Sequence, residues 1–338
     1  MGLFGFGKKI ETARDEQVSA AQHNGTSSNE ELYGKAWLMI VVEDKRKQQG
    51  LDIIRDLHAR GFDEATIVLA MFSESQEQRK SLVKQAADAG NVEGLWEYCG
   101  FLPHSYCPNP GDPGDALWEK YCLDAAEGGS VDAMNEMGNV FNRRGNFAES
   151  MYWYAMANAF GHPGGGVSLS GIARKWAMTG CPYDFQKGSP KFDEARHKCA
   201  IAYLEMHANK KLSVNMSEIM ILVQSGVPIA AYLAGDIYES LEKHEMAYRM
   251  YNMISFENDP HGLRCYADML FAGRGVQKDV QSAIRFYQMA AERGEREAMF
   301  IMGEFVKDSN KNLAAYWYGL SHTRGYEHAL ARLTQLAE

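Results

Sequence analysis

The sequence predicts an all-α protein built from stacked helical hairpins, and two observations lead to this class. No run of alternating apolar and polar residues, the pattern of a half-buried strand, occurs in the 338 residues. Instead, a tyrosine recurs seven residues before a glycine or an asparagine. The tyrosines are Tyr121, Tyr154, Tyr251, Tyr287 and Tyr318, and the residues that follow them are Gly128, Gly161, Asn258, Gly294 and Gly325.

Each position of this repeat has a physical role. Small residues on a first helix let a second helix approach closely, and the tyrosine presents a broad apolar ring to its neighbour with its hydroxyl near water. Glycine and asparagine accept the left-handed conformation that ends a helix. A single hairpin cannot bury its own apolar face, so successive hairpins must stack. We therefore expect a right-handed α/α solenoid.

The repeat markers divide the chain into three predicted segments. Small residues that mark the first helices recur at intervals of 31 to 39 residues, with one interval of 64 between positions 166 and 230 that holds either two degenerate repeats or one with an insertion. We predict a flexible polar N-terminus over 1–30, divergent helices over 31–80, and repeats over 81–338 that are irregular at about 180–225. Within the divergent part, Gly50 and Gly61 are expected to end two helices.

Composition and local patterns exclude several classes. A net charge of −9 argues against nucleic acid and anionic membranes as partners. No secretory signal and no stretch of about 20 apolar residues occurs, which predicts a cytoplasmic protein without stable membrane insertion. The six cysteines lack zinc-finger spacing. The nearest group, Cys99, His104 and Cys107, is interpreted as a small buried residue beside a proline-rich loop, and no metal or cofactor is predicted.

The best-preserved repeat lies at residues 262–298, GLRCYADMLFAGRGVQKDVQSAIRFYQMAAERGEREA. Its G-x-G-V loop, the acidic residue Asp279, the aromatic pair that ends in Tyr287 and the Ala-Ala-x-x-Gly that ends in Gly294 resemble a Sel1-like repeat. The resemblance covers roughly two-thirds of the chain. It implies a TPR-like solenoid and a bacterial adaptor of the kind that acts in signalling, envelope-linked or host-interaction processes.

No catalytic motif accompanies the repeats. The chain has neither a G-x-S-x-G nucleophile elbow nor an H-E-x-x-H zinc motif, and its histidines are dispersed. His322 and His328 flank the turn at Gly325 and are interpreted as solvated or capping residues. The prediction is therefore a protein that is not an enzyme.

Two kinds of residue are candidates for contact with a partner. Trp153 and Trp317 follow a tyrosine and precede the repeat tyrosine, so they point about 100° away from the packed position. They either pack between repeats or form exposed anchors. Polar positions on first helices are expected to face a protein or peptide on the concave surface; they are Asn135, Asn139, Arg264 and Asp268.

The sequence is compatible with three functions. The first is a non-enzymatic protein-binding scaffold. The second is a hydrolase like the cysteine-rich branch of the Sel1-like family, whose paired-cysteine repeats are missing; a Ser/Lys or Cys/His pair within about 4 Å in a pocket would support it. The third is a structural or immunity-type partner dedicated to one cognate protein.

Overall fold

The computed structural model describes residues 28–42, 45–159, 162, 168, 216–224, 228–256 and 260–338. These residues form α-helices joined by turns, with no strand among them, which confirms the predicted all-α class. Most of the polar N-terminus, Gly161, Asn258, Cys181, Cys199 and most of the irregular segment 180–225 lie outside the described residues.

The chain divides into two compact units. Unit 1 combines Met1–Asn91 with Asp259–Glu338, and unit 2 is Val92–Asn258. Unit 1 begins with α1 (Asn29–Ile40), α2 (Arg46–Ala59), α3 (Asp63–Met71) and α4 (Gln76–Asp88). Unit 2 contains α5 (Val92–Cys99), α6 (Pro113–Glu127), α7 (Val131–Arg143), α8 (Phe147–Ala159), α9 (Met216–Gln224), α10 (Pro228–Ser240) and α11 (His244–Phe256). Unit 1 then continues with α12 (Pro260–Ala272), α13 (Val280–Glu292), α14 (Arg296–Val306), α15 (Lys311–Thr323) and α16 (Glu327–Ala337).

Helices that follow each other along the chain pack as hairpins, and a tyrosine ring on the second helix lies against a small residue on the first. In the α7–α8 hairpin a Cβ on Gly138 would lie 2.5 Å from the Tyr154 ring, and in the α14–α15 hairpin a Cβ on Gly303 would lie 2.5 Å from Tyr318. The Tyr251 ring covers Gly235 in the same way. Glycine is therefore required at these three positions for the helices to approach so closely.

In four of the five repeats the tyrosine hydroxyl donates to the residue that directly follows the small one. The bonds are Tyr154 to Asn139 Oδ1 at 2.7 Å, Tyr251 to Asp236 Oδ1 at 2.7 Å, Tyr287 to Asp268 Oδ1 at 2.6 Å and Tyr318 to Glu304 Oε1 at 2.6 Å. The hydroxyls thus bind acceptors of the facing helix, whereas the repeat pattern predicts them near water. A hydroxyl on a buried ring loses much of its solvent, and an acceptor on the facing helix replaces it.

Two predicted helix stops differ from the structure. Gly50 lies inside α2 and packs on α1, where a Cβ would be 2.8 Å from the Ala36 carbonyl oxygen, so its role is close packing and not termination. In the turn after α6, Gly128 keeps a helical φ of −74°, and Gly129 takes the left-handed conformation at φ 102°. Gly61, Gly294 and Gly325 do have positive φ.

The first helix of unit 1 packs along one of the last. Gly34 of α1 lies so close to the α15 backbone at Asn312 that any side chain would clash, and the Trp37 ring lies over Gly319. Glu31 accepts a hydrogen bond from Asn310 Nδ2 at 2.7 Å. From Glu31 to Trp37 along α1, the contacted residues run from Asn310 to Gly319 along α15, so the two helices are parallel. No repeat pattern in the sequence predicted this contact.

His322 belongs to the same interface. Its ring meets Trp37 edge to face, with centroids 5.6 Å apart, and burial lowers its pKa. His322 is therefore half-buried against α1 and not a fully solvated residue, and it lies in the last turn of α15, where a capping residue was one of the two predicted roles.

Candidate functional site

A candidate site among the described residues is a cavity of about 450 Å³ in unit 2, within the range of about 300–1,000 Å³ that is usual for ligand pockets. Helices α5, α6 and α7 and the loop over 100–112 form its walls. The lining residues are Trp96, Glu97, Cys99, Gly100, His104, Trp118 and Glu136. No sequence pattern indicates this cavity, because its walls come from three helices and a loop.

The carboxylate of Asp115 fixes the loop that bounds the cavity. It accepts hydrogen bonds from the Ser105 amide at 2.6 Å, the Ser105 hydroxyl at 2.8 Å and the Asn109 amide at 2.8 Å. The hydrogen bond from the Asn109 amide, which has the largest effect, and the one from the Ser105 amide hold the pKa of Asp115 below its usual value. A carboxylate that stays charged therefore holds both parts of the loop in place.

Two arginines at the C-terminal end of α7 also hold this loop. Arg143 donates to the Tyr106 carbonyl oxygen at 2.5 Å, and its guanidinium lies 4.6 Å from the centroid of the Tyr106 ring. Arg144 donates to the Pro108 carbonyl oxygen at 2.7 Å and makes a bidentate pair with Glu119 at 2.8 and 2.9 Å. The turn Arg143-Arg144-Gly145 stands where the best-preserved repeat has its G-x-G-V loop. This turn anchors the loop that forms part of the cavity wall.

The thiol and imidazole groups of the cavity are held by neighbours. The His104 ring stacks on Trp118 with centroids 4.4 Å apart, and its Nδ1 lies 3.3 Å from the Leu102 carbonyl oxygen. The buried Cys99 thiol donates to the Leu95 carbonyl oxygen at 3.3 Å. Its hydrogen bond to Cys122, together with burial, raises the pKa of Cys122. The Cys122 thiol is therefore held protonated, and Cys99 is a small buried residue, as the sequence indicates.

Helix α7 contributes Glu136 to the cavity. One oxygen of Glu136 accepts from Arg143 Nη2 at 2.6 Å and the other accepts from Asn139 Nδ2 at 2.7 Å. Asn139, a predicted partner contact, thus connects Glu136 to the hydroxyl of Tyr154. Asn135, the other predicted contact on α7, is half-buried, and its Oδ1 accepts no hydrogen bond from the described residues.

The predicted contacts Arg264 and Asp268 lie in a second polar cluster, on α12 of unit 1. Arg264 Nη1 donates to Asp268 Oδ2 at 2.7 Å, and its Nε lies 3.4 Å from Glu295 Oε1 and 3.5 Å from Glu297 Oε2. Burial raises the pKa of Asp268, against the opposing effect of Arg264. Its other oxygen accepts from Tyr287, so this cluster satisfies its own charges.

The same helix carries a thiol–imidazole pair. Cys265 Sγ lies 3.7 Å from His261 Nε2. Burial disfavours the imidazolium of His261, but the interactions with Cys265 and Glu295 outweigh it and raise the pKa to about 10. The pair has the spacing that would support a hydrolase, but neither residue lines the cavity in unit 2.

The two tryptophans that were candidates for exposed anchors are buried. Trp153 is 6% exposed and Trp317 is 9% exposed. Each meets the ring of the preceding tyrosine, with centroids 5.1 Å apart for Tyr152 and 5.0 Å for Tyr316. This burial favours packing between repeats over exposed anchors. Of the other repeat positions, Tyr121 is half-buried and meets Tyr98 edge to face at 5.0 Å.

The described part of the chain lacks membrane-spanning helices and metal-binding groups. None of its helices has both the length and the apolar character needed to cross a bilayer. Its histidines, cysteines and acidic residues form no group of three that could hold a metal ion.

Solved structures are similar to this chain along most of its length. A Sel1 repeat protein from Oxalobacter formigenes is 15% identical, with 97% of this chain and 89% of that chain covered and a TM-score of 0.40. A protective antigen present in uropathogenic Escherichia coli strains, which displays an SLR fold, is 17% identical, with 91% and 79% covered and a TM-score of 0.35. No protein-family model and no curated protein matches. Since these TM-scores mark a loose superposition, the repeat assignment rests on the tyrosine contacts described above.

Proposed function

We propose that the protein is a non-enzymatic scaffold, a cytoplasmic adaptor of bacterial type, that binds a protein or peptide at the cavity beside α7. The observation that carries this proposal is the cavity itself, which a first repeat helix borders and two tryptophans line. Buried aromatic side chains in a concave site are the groups that contribute most to binding energy at protein interfaces.

The fixed walls of the cavity support the same proposal. Asp115, Arg143 and Arg144 hold the loop through hydrogen bonds to its backbone. A partner therefore does not have to order this loop when it binds, and the entropic cost of association is lower.

The predicted contact residues divide into two groups under this proposal. Asn135 borders Glu136 on α7 and remains a proposed contact. Asn139, Arg264 and Asp268 have internal partners, so their truncation is expected to lower stability as well as affinity. Trp153 and Trp317 are assigned to packing because they are buried.

Affinity capture with the full chain as bait tests the proposal. Trp96→Ala removes a cavity wall, and Leu117→Ala is the matched control because Leu117 is exposed on the neighbouring helix α6 and does not line the cavity. We expect a captured partner to fall at least tenfold, about 1.4 kcal/mol, with Trp96→Ala and to remain with Leu117→Ala, at equal melting temperatures. Equal capture by both variants would contradict a role for the cavity.

Quantitative mass spectrometry of the captured material separates a general adaptor from a dedicated partner. One protein recovered in equal amount with the bait indicates an immunity-type or structural partner of a single cognate protein. Several proteins, each lost with Trp96→Ala, indicate an adaptor.

The pair Cys265 and His261 favours a hydrolase as the second candidate, because a thiol beside a buried imidazole is the arrangement of a nucleophile and its base. Hydrolysis of an ester or thioester reporter, lost in Cys265→Ser and kept in Cys107→Ser, would establish it. Cys107 is the control because it is an exposed cysteine. The scaffold proposal expects no turnover above that of buffer.

A further inference from the structure

We propose that Cys265 on α12 is a site of reversible oxidation, where a hydroperoxide converts the thiolate to a sulfenic acid and His261 supplies a proton. This inference is independent of the scaffold proposal, because Cys265 belongs to unit 1 and the cavity lies in unit 2. Three observations carry it: an imidazole in contact with the sulfur, a guanidinium beside both groups, and the partial exposure of the thiol.

The imidazole that contacts Cys265 carries a positive charge. His261 lies one helical turn before Cys265, and its Nε2 is 3.7 Å from the sulfur. Against the effect of burial, the interactions with Cys265 and with Glu295 raise the pKa of His261 to about 10. The same imidazole donates a hydrogen bond to Glu295, the N-cap of α14, which fixes the ring. An imidazolium at this distance favours the thiolate, which is the nucleophilic form of cysteine.

The guanidinium of Arg264 is a second cation at the same place. Against the effect of burial, attraction to Cys265 is the largest of the interactions that raise the pKa of Arg264. Arg264 Nη2 also lies 3.4 Å from His261 Nδ1, where the two cations repel each other. The carboxylates of Glu295 and Glu297, 3.4 and 3.5 Å from Arg264 Nε, offset this repulsion. Two cations can therefore be held beside one sulfur.

The exposure of Cys265 separates it from the other described cysteines. Cys99 and Cys122 are buried, and the hydrogen bond from Cys99, followed by burial, raises the pKa of Cys122. Cys107 is exposed and forms no hydrogen bond with a described residue. Cys265 is half-buried. Reactive cysteines have partly exposed, electropositive surroundings, and of the described cysteines Cys265 combines access with an imidazole in contact.

The oxidation uses only this pair and the hydroperoxide. The thiolate sulfur of Cys265 attacks the terminal oxygen of the hydroperoxide, so an S–O bond forms while the O–O bond breaks. The sulfur gives up two electrons, and the departing oxygen receives them. This oxygen takes the proton from Nε2 of His261 and leaves as water or an alcohol, beside a neutral imidazole. A thiol reverses the reaction: one equivalent displaces water to form a mixed disulfide, and a second releases Cys265 as the thiol.

Peroxide labelling of the full chain tests the inference without any substitution. The reduced protein is treated with hydrogen peroxide in the presence of dimedone, which traps sulfenic acids, and the labelled peptides are quantified by mass spectrometry. We expect Cys265 to be labelled about tenfold faster than Cys107, although Cys107 is more exposed. In about 8 M urea this preference should disappear, because unfolding separates Cys265 from His261. Equal labelling in the folded chain, or a preference that persists in urea, would overturn the inference.

A matched pair of histidine variants tests the role of the imidazole. His261→Gln keeps a polar side chain but cannot carry the charge or release the proton, whereas His328→Gln changes an exposed histidine on α16. We expect labelling of Cys265 to fall about tenfold in His261→Gln and to stay unchanged in His328→Gln, at equal melting temperatures. An unchanged rate in His261→Gln would contradict the proposed chemistry. If that variant does not fold, the comparison of Cys265 with Cys107 in the natural chain still decides.

The outcomes are distinct from those of the proposed functions. A hydrolase turns over many reporter molecules, whereas the oxidation consumes one peroxide at each Cys265 and then stops. Turnover of the reporter without preferential labelling of Cys265 would support the hydrolase and overturn the oxidation site. Partner capture that depends on Trp96 leaves the scaffold proposal standing even if Cys265 proves unreactive.

Discussion

The α7–α8 hairpin of unit 2 and the α12–α13 hairpin of unit 1 share one tyrosine contact and use it differently. In the first, the amide of Asn139 accepts from Tyr154 and still donates to Glu136, which lines the cavity. In the second, Asp268 can only accept, so its charge is paired with Arg264.

The difference extends to the next helix. Arg264 lies within 3.5 Å of Glu295 and Glu297 at the start of α14, so the polar groups of the second hairpin are occupied by one another. An amide and a carboxylate at the same repeat position thus lead to different surroundings. The residue after the small helix position decides how the tyrosine hydroxyl is connected: an amide extends the hydrogen-bond chain to Glu136, and a carboxylate forms its own ion pair with an arginine.

The largest expected effect on this comparison comes from truncating the two acceptors. Asp268→Ala removes the acceptor of Arg264 Nη1 and of the Tyr287 hydroxyl, and we expect a loss of about 3 kcal/mol in the free energy of unfolding. Asn139→Ala removes an uncharged partner and should cost about 1 kcal/mol. Urea denaturation measures both free energies of unfolding. A larger cost for Asn139→Ala would contradict the proposed difference between the two hairpins.

A smaller effect is expected where the tyrosine ring meets the first helix. Gly138→Ala places a methyl group 2.5 Å from the Tyr154 ring and should cost about 2 kcal/mol through overpacking. At the matching position of the other hairpin, Ala267→Gly should cost only about 1 kcal/mol, through helix propensity. Thermal melts of both variants test this order, and a stabilising Gly138→Ala would show that the two helices can separate without cost.

The smallest effect is a pH dependence limited to the unit 2 loop. The pKa of Asp115 is lower in the folded chain than its ordinary value near 3.8, so its stabilisation is complete above that value. It is lost as the pH falls through the lowered pKa and the carboxylate gains a proton. As the pH falls below the ordinary value and through the lowered pKa of Asp115, we expect the loop to open, with a change in the fluorescence of Trp118.

Asp115→Asn provides the control for this pH dependence. The amide cannot accept three hydrogen bonds as a charged group, so its loop should be loosened at neutral pH and should show no acid transition. The N-cap of α13 offers a second comparison, because hydrogen bonds from Ser282 lower the pKa of Asp279 in the same direction. An acid transition that survives in Asp115→Asn would assign the titration to another group.

Sequence periodicity was sufficient to predict the helical hairpins and the residues at their contacts. Tyr154, Tyr251, Tyr287 and Tyr318 are buried against the facing helix, because a periodic pattern reports which side of a helix is covered. The acceptors that bind their hydroxyls were visible in the same register, one residue after each small position. Two of them, Asn139 and Asp268, had instead been predicted to face a partner, because a polar residue on a first helix does not itself show which group it meets.

The candidate cavity could not be predicted in this way. Its walls depend on how Asp115, Arg143 and Arg144 hold a loop, and such contacts have no period. Cys99 and His104 are close in the sequence. Trp96 and Trp118 belong to different helices, so the sequence does not show that they line the same cavity. Gly50 was wrongly predicted to end a helix for a related reason. In the sequence, a glycine needed for close packing looks the same as one that ends a helix.

The parallel contact between α1 and α15 has a consequence for how the chain is made. Trp37 leaves the ribosome about 280 residues before Gly319, the residue it covers. At a translation rate of about 5–20 residues per second, this helix waits roughly 14–56 seconds for its partner. During that interval its aromatic face is exposed to chaperones and to other nascent chains, and unit 1 is completed only when the last hairpins emerge.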